Sequence, residues 1–121
     1  MTRDEFDAFC AGLPATTHVV QWGNTSVWKV GGKIFALCSS WGTGGVQAIS
    51  FKCSEMSYGL LIEEAGIVPA PYLARARWVQ IREKGALSDE DIRAYVVAAH
   101  GLILRKLPKT LKASLGLAPP Q

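Results

Sequence analysis

The stretch SVWKVGGKIFALC, residues 26–38, constrains this chain more than any other part of its sequence. Two runs rich in β-branched and aromatic residues flank a Gly-Gly pair, and two adjacent glycines supply the positive φ angles of a type I′ turn. A two-residue turn also sets the register. Val30 then faces Lys33, Trp28 faces Phe35 and Ser26 faces Leu37. Trp28, Val30, Phe35 and Leu37 are thus expected on one face, with Val27, Lys29, Ile34, Ala36 and Cys38 on the other. A hairpin with so large an apolar face needs further strands and a covering layer.

The rest of the sequence supplies both. Thr2 and Glu5 form a T-x-x-E capping box, and Phe6, Phe9, Cys10 and Leu13 follow at helical spacing until Gly12 and Pro14 end the helix. Asp4, Glu5 and Asp7 sit in its first turns, where the helix dipole favours acids. Residues 17–53 read as strands, with Ile49 and Phe51 on one face of VQAISFK and Ala48, Ser50 and Lys52 on the other. Ser54 is placed to cap a helix of about 11 residues reaching Gly66, with Tyr58, Leu61, Ile62 and Ala65 as its stripe. IVPAPYLA, with two prolines, reads as a rigid connector or one short turn. In RWVQIR, Val79 and Ile81 point inward and Trp78, Gln80 and Arg82 outward.

Ser88 and Asp91 open the last long helix, whose core stripe is Ile92, Tyr95, Val96, Ala99 and Ile103. Val97, Ala98 and Leu104 lie off that stripe, which points to cover on a second side by a helix or a second subunit. Pro108 begins a short terminal helix. The order α-β-β-β-β-α-β-α predicts an α+β fold, a single antiparallel sheet with helices packed on one face. Residues 1–115 make one domain, and 116–121 a frayed tail.

Composition narrows the classes. The chain has 121 residues, 49% of them apolar, enough for one sizeable core without staples. No run approaches the roughly 18 apolar residues of a membrane span. MTRDEFDAF lacks the apolar segment of a signal peptide, so a cytoplasmic protein is expected. Cys10, Cys38 and Cys53 are odd in number and spaced like neither a redox pair nor a zinc knuckle, so buried reduced thiols are expected. No metal and no cofactor is expected.

Several blocks in order resemble the MmcQ/YjbR family: QWG at 21–23, VWKVGGKIFAL at 27–37, ISFK at 49–52, PAPYLARARWVQI at 69–81, and the closing helix that ends in Leu-Pro-Lys at 107–109. The likeness spans roughly residues 1–115. It implies a CyaY-like (frataxin-like) sandwich and the family's customary label, double-stranded DNA-binding proteins of bacteria. That label carries no defined motif, so no site residue transfers with it. His100-Gly101 stands where the family often has Ser before an aromatic. A frataxin-like carboxylate ridge is absent, since only Asp4, Glu5 and Asp7 are available and the capping box occupies Glu5.

Nothing in the sequence points to an enzyme. Ser39, Ser40 and Cys38 lack any nucleophile elbow, GTGG at 42–45 lacks the Walker lysine, and His100 at the edge of an apolar stripe reads as structural. Net charge is only +3, but from Ile92 onward the chain holds Arg93, Arg105, Lys106, Lys109 and Lys112 and no acid. Strand parity gathers Lys29, Lys52 and Arg82, with Trp78, on the outer sheet face. With what the resemblance implies, the expected function is binding of duplex DNA through phosphates, largely regardless of sequence, by Lys29, Lys52, Arg82, Trp78, Lys109 and Lys112. The other class is a protein-interaction module or homodimer built on Trp22, Trp41, Trp78 and the last helix. Trp41 in the glycine loop 39–45 either contacts a partner or staples that loop.

Overall fold

In the computed structural model, which describes residues 1–41, 46–71 and 73–116, strands β2 (Thr25–Val30) and β3 (Lys33–Trp41) fold back about Gly31 and Gly32. Both glycines have positive φ, 59° and 80°, as the turn requires. Gly31 is needed twice over, because a Cβ there would lie 2.5 Å from Leu107 Cδ1. Pairing begins in the expected register, with Val30 opposite Lys33 and Lys29 opposite Ile34. It then shifts: Trp28 pairs with Ala36 and Ser26 with Cys38, leaving Phe35 as the extra residue of a β-bulge. The expected pairs Trp28–Phe35 and Ser26–Leu37 are corrected accordingly. Trp28, Val30 and Phe35 do share the main core, but Ala36 and Cys38 join them and Leu37 goes to the opposite face.

Strands β1 (Thr16–Gln21), β4 (Val46–Lys52), β5 (Ile67–Pro69) and β6 (Trp78–Ile81) complete a six-stranded sheet in the order β1-β2-β3-β4-β6-β5. Every neighbouring pair is antiparallel. Residues 67–69 are thus an edge strand rather than a connector, and Pro69 is tolerated because it closes that strand at the sheet's margin. Gly66 does not cap a helix. Its carbonyl accepts from the Arg82 and Glu83 amides, at 2.7 and 3.3 Å, where the chain enters β5.

Four helices, α1 (Arg3–Ala11), α2 (Glu55–Leu61), α3 (Asp89–Lys106) and α4 (Lys109–Ser114), pack on one face. The fold is α+β, as expected. Thr2 and Glu5 form both bonds of the capping box, and Ser88 Oγ accepts from the Asp91 amide. Helix α2 is shorter than its spacing suggested, ending at Leu61, so Ile62 and Ala65 are exposed. Phe6, Phe35, Phe51, Val79 and Val96 are fully buried between the helices and the sheet. Tyr95 of α3 stacks on Phe51 with ring centres 5.5 Å apart.

The sheet's other face is not open. Val27, Leu37, Ala70 and Trp78 form a second, smaller core there, with Ile34 and Leu73 packed against it. The segment between β5 and β6, which includes a 3-10 turn at Ala74–Ala76, covers this face. Residues 42–45 and all of the predicted tail beyond Gly116 lie outside the described residues, as does the side chain of Trp41.

Candidate nucleic-acid interface

Lys52 ends β4, with its backbone paired to Trp78. Its Nζ donates to the Ala76 carbonyl at 2.6 Å, which holds the ammonium beside Arg77. Burial, followed by the positive charges of Lys106 and Arg77, pushes the Lys52 ammonium below its ordinary pKa. Lys52 therefore sits among cations contributed by β4, the β6 approach and the end of α3. Arg77, in the left-handed region at φ 61°, lies 5.3 Å above the Tyr58 ring and 3.4 Å from Glu55.

The C-terminal end of α3 completes this pole. Arg105 and Lys106 occupy its last turn, where cations complement the helix dipole. Lys112 Nζ donates to the Arg105 carbonyl at 3.2 Å, folding α4 back on that turn. Leu107, between the two helices, rests against the β2–β3 turn at Gly31. Lys29 pairs with Ile34 next to the same turn and is half-buried. Apart from Glu55, which pairs with Arg77 at this pole, the acids that open α1 and α3 stand at the far end. Asp4 and Glu5 open α1, and Asp89, Glu90 and Asp91 open α3, about 27 Å away along an 18-residue helix.

The residues expected from sequence divide accordingly. Lys52 and Lys112 lie at the basic pole with Lys106 and Arg105, and Lys109 opens α4 after them. Lys29 stands near the β2–β3 turn but, alternating with Trp28 and Val30 of the main core, on the sheet face away from α3. Arg82 is not at the pole. It is exposed at the other end of β6, about 13 Å along the strand from the Trp78–Lys52 pair, and its Nε donates to Gln80 Oε1 at 2.9 Å. Trp78 is only 4% exposed and serves the second core, so it offers no surface to a partner. Lys29, Lys52 and Arg82 were expected on one open sheet face; the apolar cover from Ala70 and Leu73 is what parity alone misses.

Sequence reasoning overlooked Arg77, and it kept Arg105 and Lys106 apart from Lys52. The acid-free run after Ile92 was the available signal for the latter two. His100 is structural, as expected: it is buried, its Nε2 donates to the Pro14 carbonyl at 2.8 Å, and its ring meets Phe35 edge-on. Cys53, beside Lys52, is buried, and burial pushes its thiol up to about 12, which keeps it protonated and unreactive at neutral pH. Among the described residues no group of three His, Cys, Asp or Glu is arranged to hold a metal ion. Among them, too, no helix is long and apolar enough to cross a membrane.

Residues 11–102 match the family model named YjbR. The fold is also that of a crystallised Deinococcus radiodurans protein described as carrying the DUF419 domain, with a TM-score of 0.81 at 22% identity over 98% of this chain and 89% of that one. A Pseudomonas syringae protein of known structure is similar at a TM-score of 0.70 and 21% identity, covering 84% of this chain and 98% of its own. No curated protein matches.

Proposed function

This chain belongs to the YjbR family, and from that premise we propose that it binds duplex DNA through backbone phosphates, with little regard to sequence. The observation that carries the reading is the basic pole, where Lys52, Arg105, Lys106 and Lys112 meet from β4, α3 and α4, with Lys109 opening α4, while the acids that open α1 and α3 stand at the opposite end. Lys29 borders the pole. Such separation of charge orients the molecule toward a polyanion before contact and concentrates counterion release in one patch. The bonds at hand are phosphate contacts from flexible ammonium and guanidinium groups, which fix position without reading bases.

The test is titration of labelled duplex at several salt concentrations. With roughly three to five phosphates neutralised, log K should fall with log salt at a slope of about −3 to −4.5. Replacing Lys106 and Lys109 by Ala should weaken binding to every duplex alike and flatten the slope by about two. Arg82→Ala should leave the slope unchanged, because that side chain lies at the other end of β6. Absence of duplex binding near about 50 mM salt would sink the reading. One observation favours the interaction-module alternative: Trp22, at φ 50° and 65% exposed, stands at the end of edge strand β1 beside the exposed Val20. Salt-insensitive self-association lost in Trp22→Ser would support it.

A further inference from the structure

Between the start of α2 and the outward side of α3 lies a groove of about 390 Å³, near the lower end of the roughly 300–1,000 Å³ that ligand sites occupy. Its lining combines three kinds of group. Tyr95, Ala98 and Leu102 are apolar or aromatic, Lys52 and Arg105 are cationic, and Ser57 brings a hydroxyl. The Tyr95 ring is fixed in place by its stack on Phe51, with 11° between the planes. Neither Ser57 Oγ nor the Tyr95 hydroxyl forms a hydrogen bond with another described residue, so both have capacity to spare.

Gly101 lines the same groove. It sits inside α3, where helices disfavour glycine. An added Cβ there would meet only Arg105 Nη1, at an ordinary 3.7 Å. Neither a positive φ nor close packing among the described residues accounts for glycine at this position. Its effect is to leave the groove open beside Arg105.

A planar, mostly apolar body that offers hydrogen-bonding edges and carries a negative charge on either side fits this lining. An unpaired nucleobase between two phosphates has that chemistry, and single strands are held in this way by aromatic platforms set in cationic grooves. We propose that the groove takes one unpaired nucleotide of DNA, with Lys52 and Arg105 on its flanking phosphates, so that single-stranded ends are preferred over blunt duplex. This rests on the DNA-binding reading above and names the substrate of the same pole.

The experiment compares blunt duplex, the same duplex with a short single-stranded overhang, and one whose overhang is abasic, all at one salt concentration. The wild-type protein should bind the overhang about tenfold more tightly than blunt duplex, the gain of roughly one stacked base. The abasic overhang, which keeps the phosphates, should lose most of that gain. Gly101→Leu, which fills the groove on an otherwise favourable helical site, should bring the ratio of overhung to blunt affinity, measured within the same variant, close to one. Gly59→Ala, on exposed α2 with nothing within 4 Å of the added Cβ, is the control and should keep the preference. Equal binding of blunt and overhung duplex, a preference that survives base removal, or one that survives Gly101→Leu overturns the groove while leaving the basic pole standing. Failure to bind any of the three DNAs overturns both.

Discussion

Asp7 organises much of the polar interior from a single carboxylate oxygen. Its Oδ1 accepts from Ser26 Oγ at 2.6 Å and from Trp28 Nε1 at 2.9 Å. Because the Ser26 proton is committed to Asp7, His18 Nε2, 2.7 Å from Ser26 Oγ, is the donor in that contact. His18 also stacks on Trp28, which fastens β1 to β2. Asp7→Ala would leave the Trp28 N–H and the buried Ser26 hydroxyl without their acceptor, and stability should fall by about 2–3 kcal/mol in chemical denaturation. From sequence, Asp7 was one more acid in the first turns of a helix. Its partners lie 19 and 21 residues away, a separation at which local pattern is silent. The three thiols give a second expectation at this scale. Burial pushes Cys10, Cys38 and Cys53 up to about 12, 11 and 12, from an ordinary 9.0. Above pH 9 the unfolded chain releases these protons first, so the stability they contribute is full below pH 9 and is lost as pH rises toward 11–12. The free energy of unfolding should therefore drop between pH 8 and pH 10, by on the order of 1 kcal/mol per thiol, seen as a falling denaturation midpoint, and Cys10→Ala should shrink the drop.

Elements differ in how much of themselves they reveal. The caps of α1 and α3 and the stripe of Ile92, Val96, Ala99 and Ile103 follow from spacing alone, since each depends on residues within a turn or two. The β2–β3 turn was legible for the same reason. The bulge at Phe35 was not, because it answers to what packs on the sheet. It brings Phe35 and Ala36 together under the helices and sends Leu37 to meet Val27 and Trp78 on the other face. Helix α2 ends early because its chain must turn into β5, which no periodicity announces. At this scale Gly101 also has a measurable consequence. Gly101→Ala should raise stability by about 0.5–1 kcal/mol, the usual difference between the two residues inside a helix, seen as an upward shift of the thermal midpoint.

For the whole molecule, the sheet and its helical layer were legible, and the candidate site only in pieces. Parity correctly placed Lys29 and Lys52 on the same side of the strands, and the acid-free C-terminus was visible as a run. That Lys52 meets this run depends on α3 lying along the sheet with its last turn beside the end of β4, a tertiary fact. The cover over the second face was equally hidden, because Trp78 alternates outward like a surface residue and is buried by a proline-bearing segment that has no period. The Lys52 shift has a consequence here too. A lysine held below its ordinary 10.5 makes the folded state bind fewer protons than the unfolded one, so its contribution to stability rises with pH through that interval. Lys106→Ala should relieve part of the repulsion and slightly raise stability while it weakens DNA binding, and denaturation run beside titration checks both.

The strand order bears on how the chain reaches this state. From β1 to β4 each strand lies beside its neighbour in sequence, so most of the sheet assembles by closing short loops. Strand β6 breaks the succession, passing β5 to pair with β4 and closing the loop from residue 53 to 77. Bringing those distant ends together is entropically the slow step, and its reward arrives only once β6 is seated. Val79, fully buried at that seam opposite Phe51, should therefore already have its contacts in the folding transition state. Val79→Ala should act mainly by slowing refolding in stopped-flow measurements. Val19→Ala, on the exposed edge strand β1, should barely alter that limb, so the rate at which this protein folds is set at the place where its meander ends.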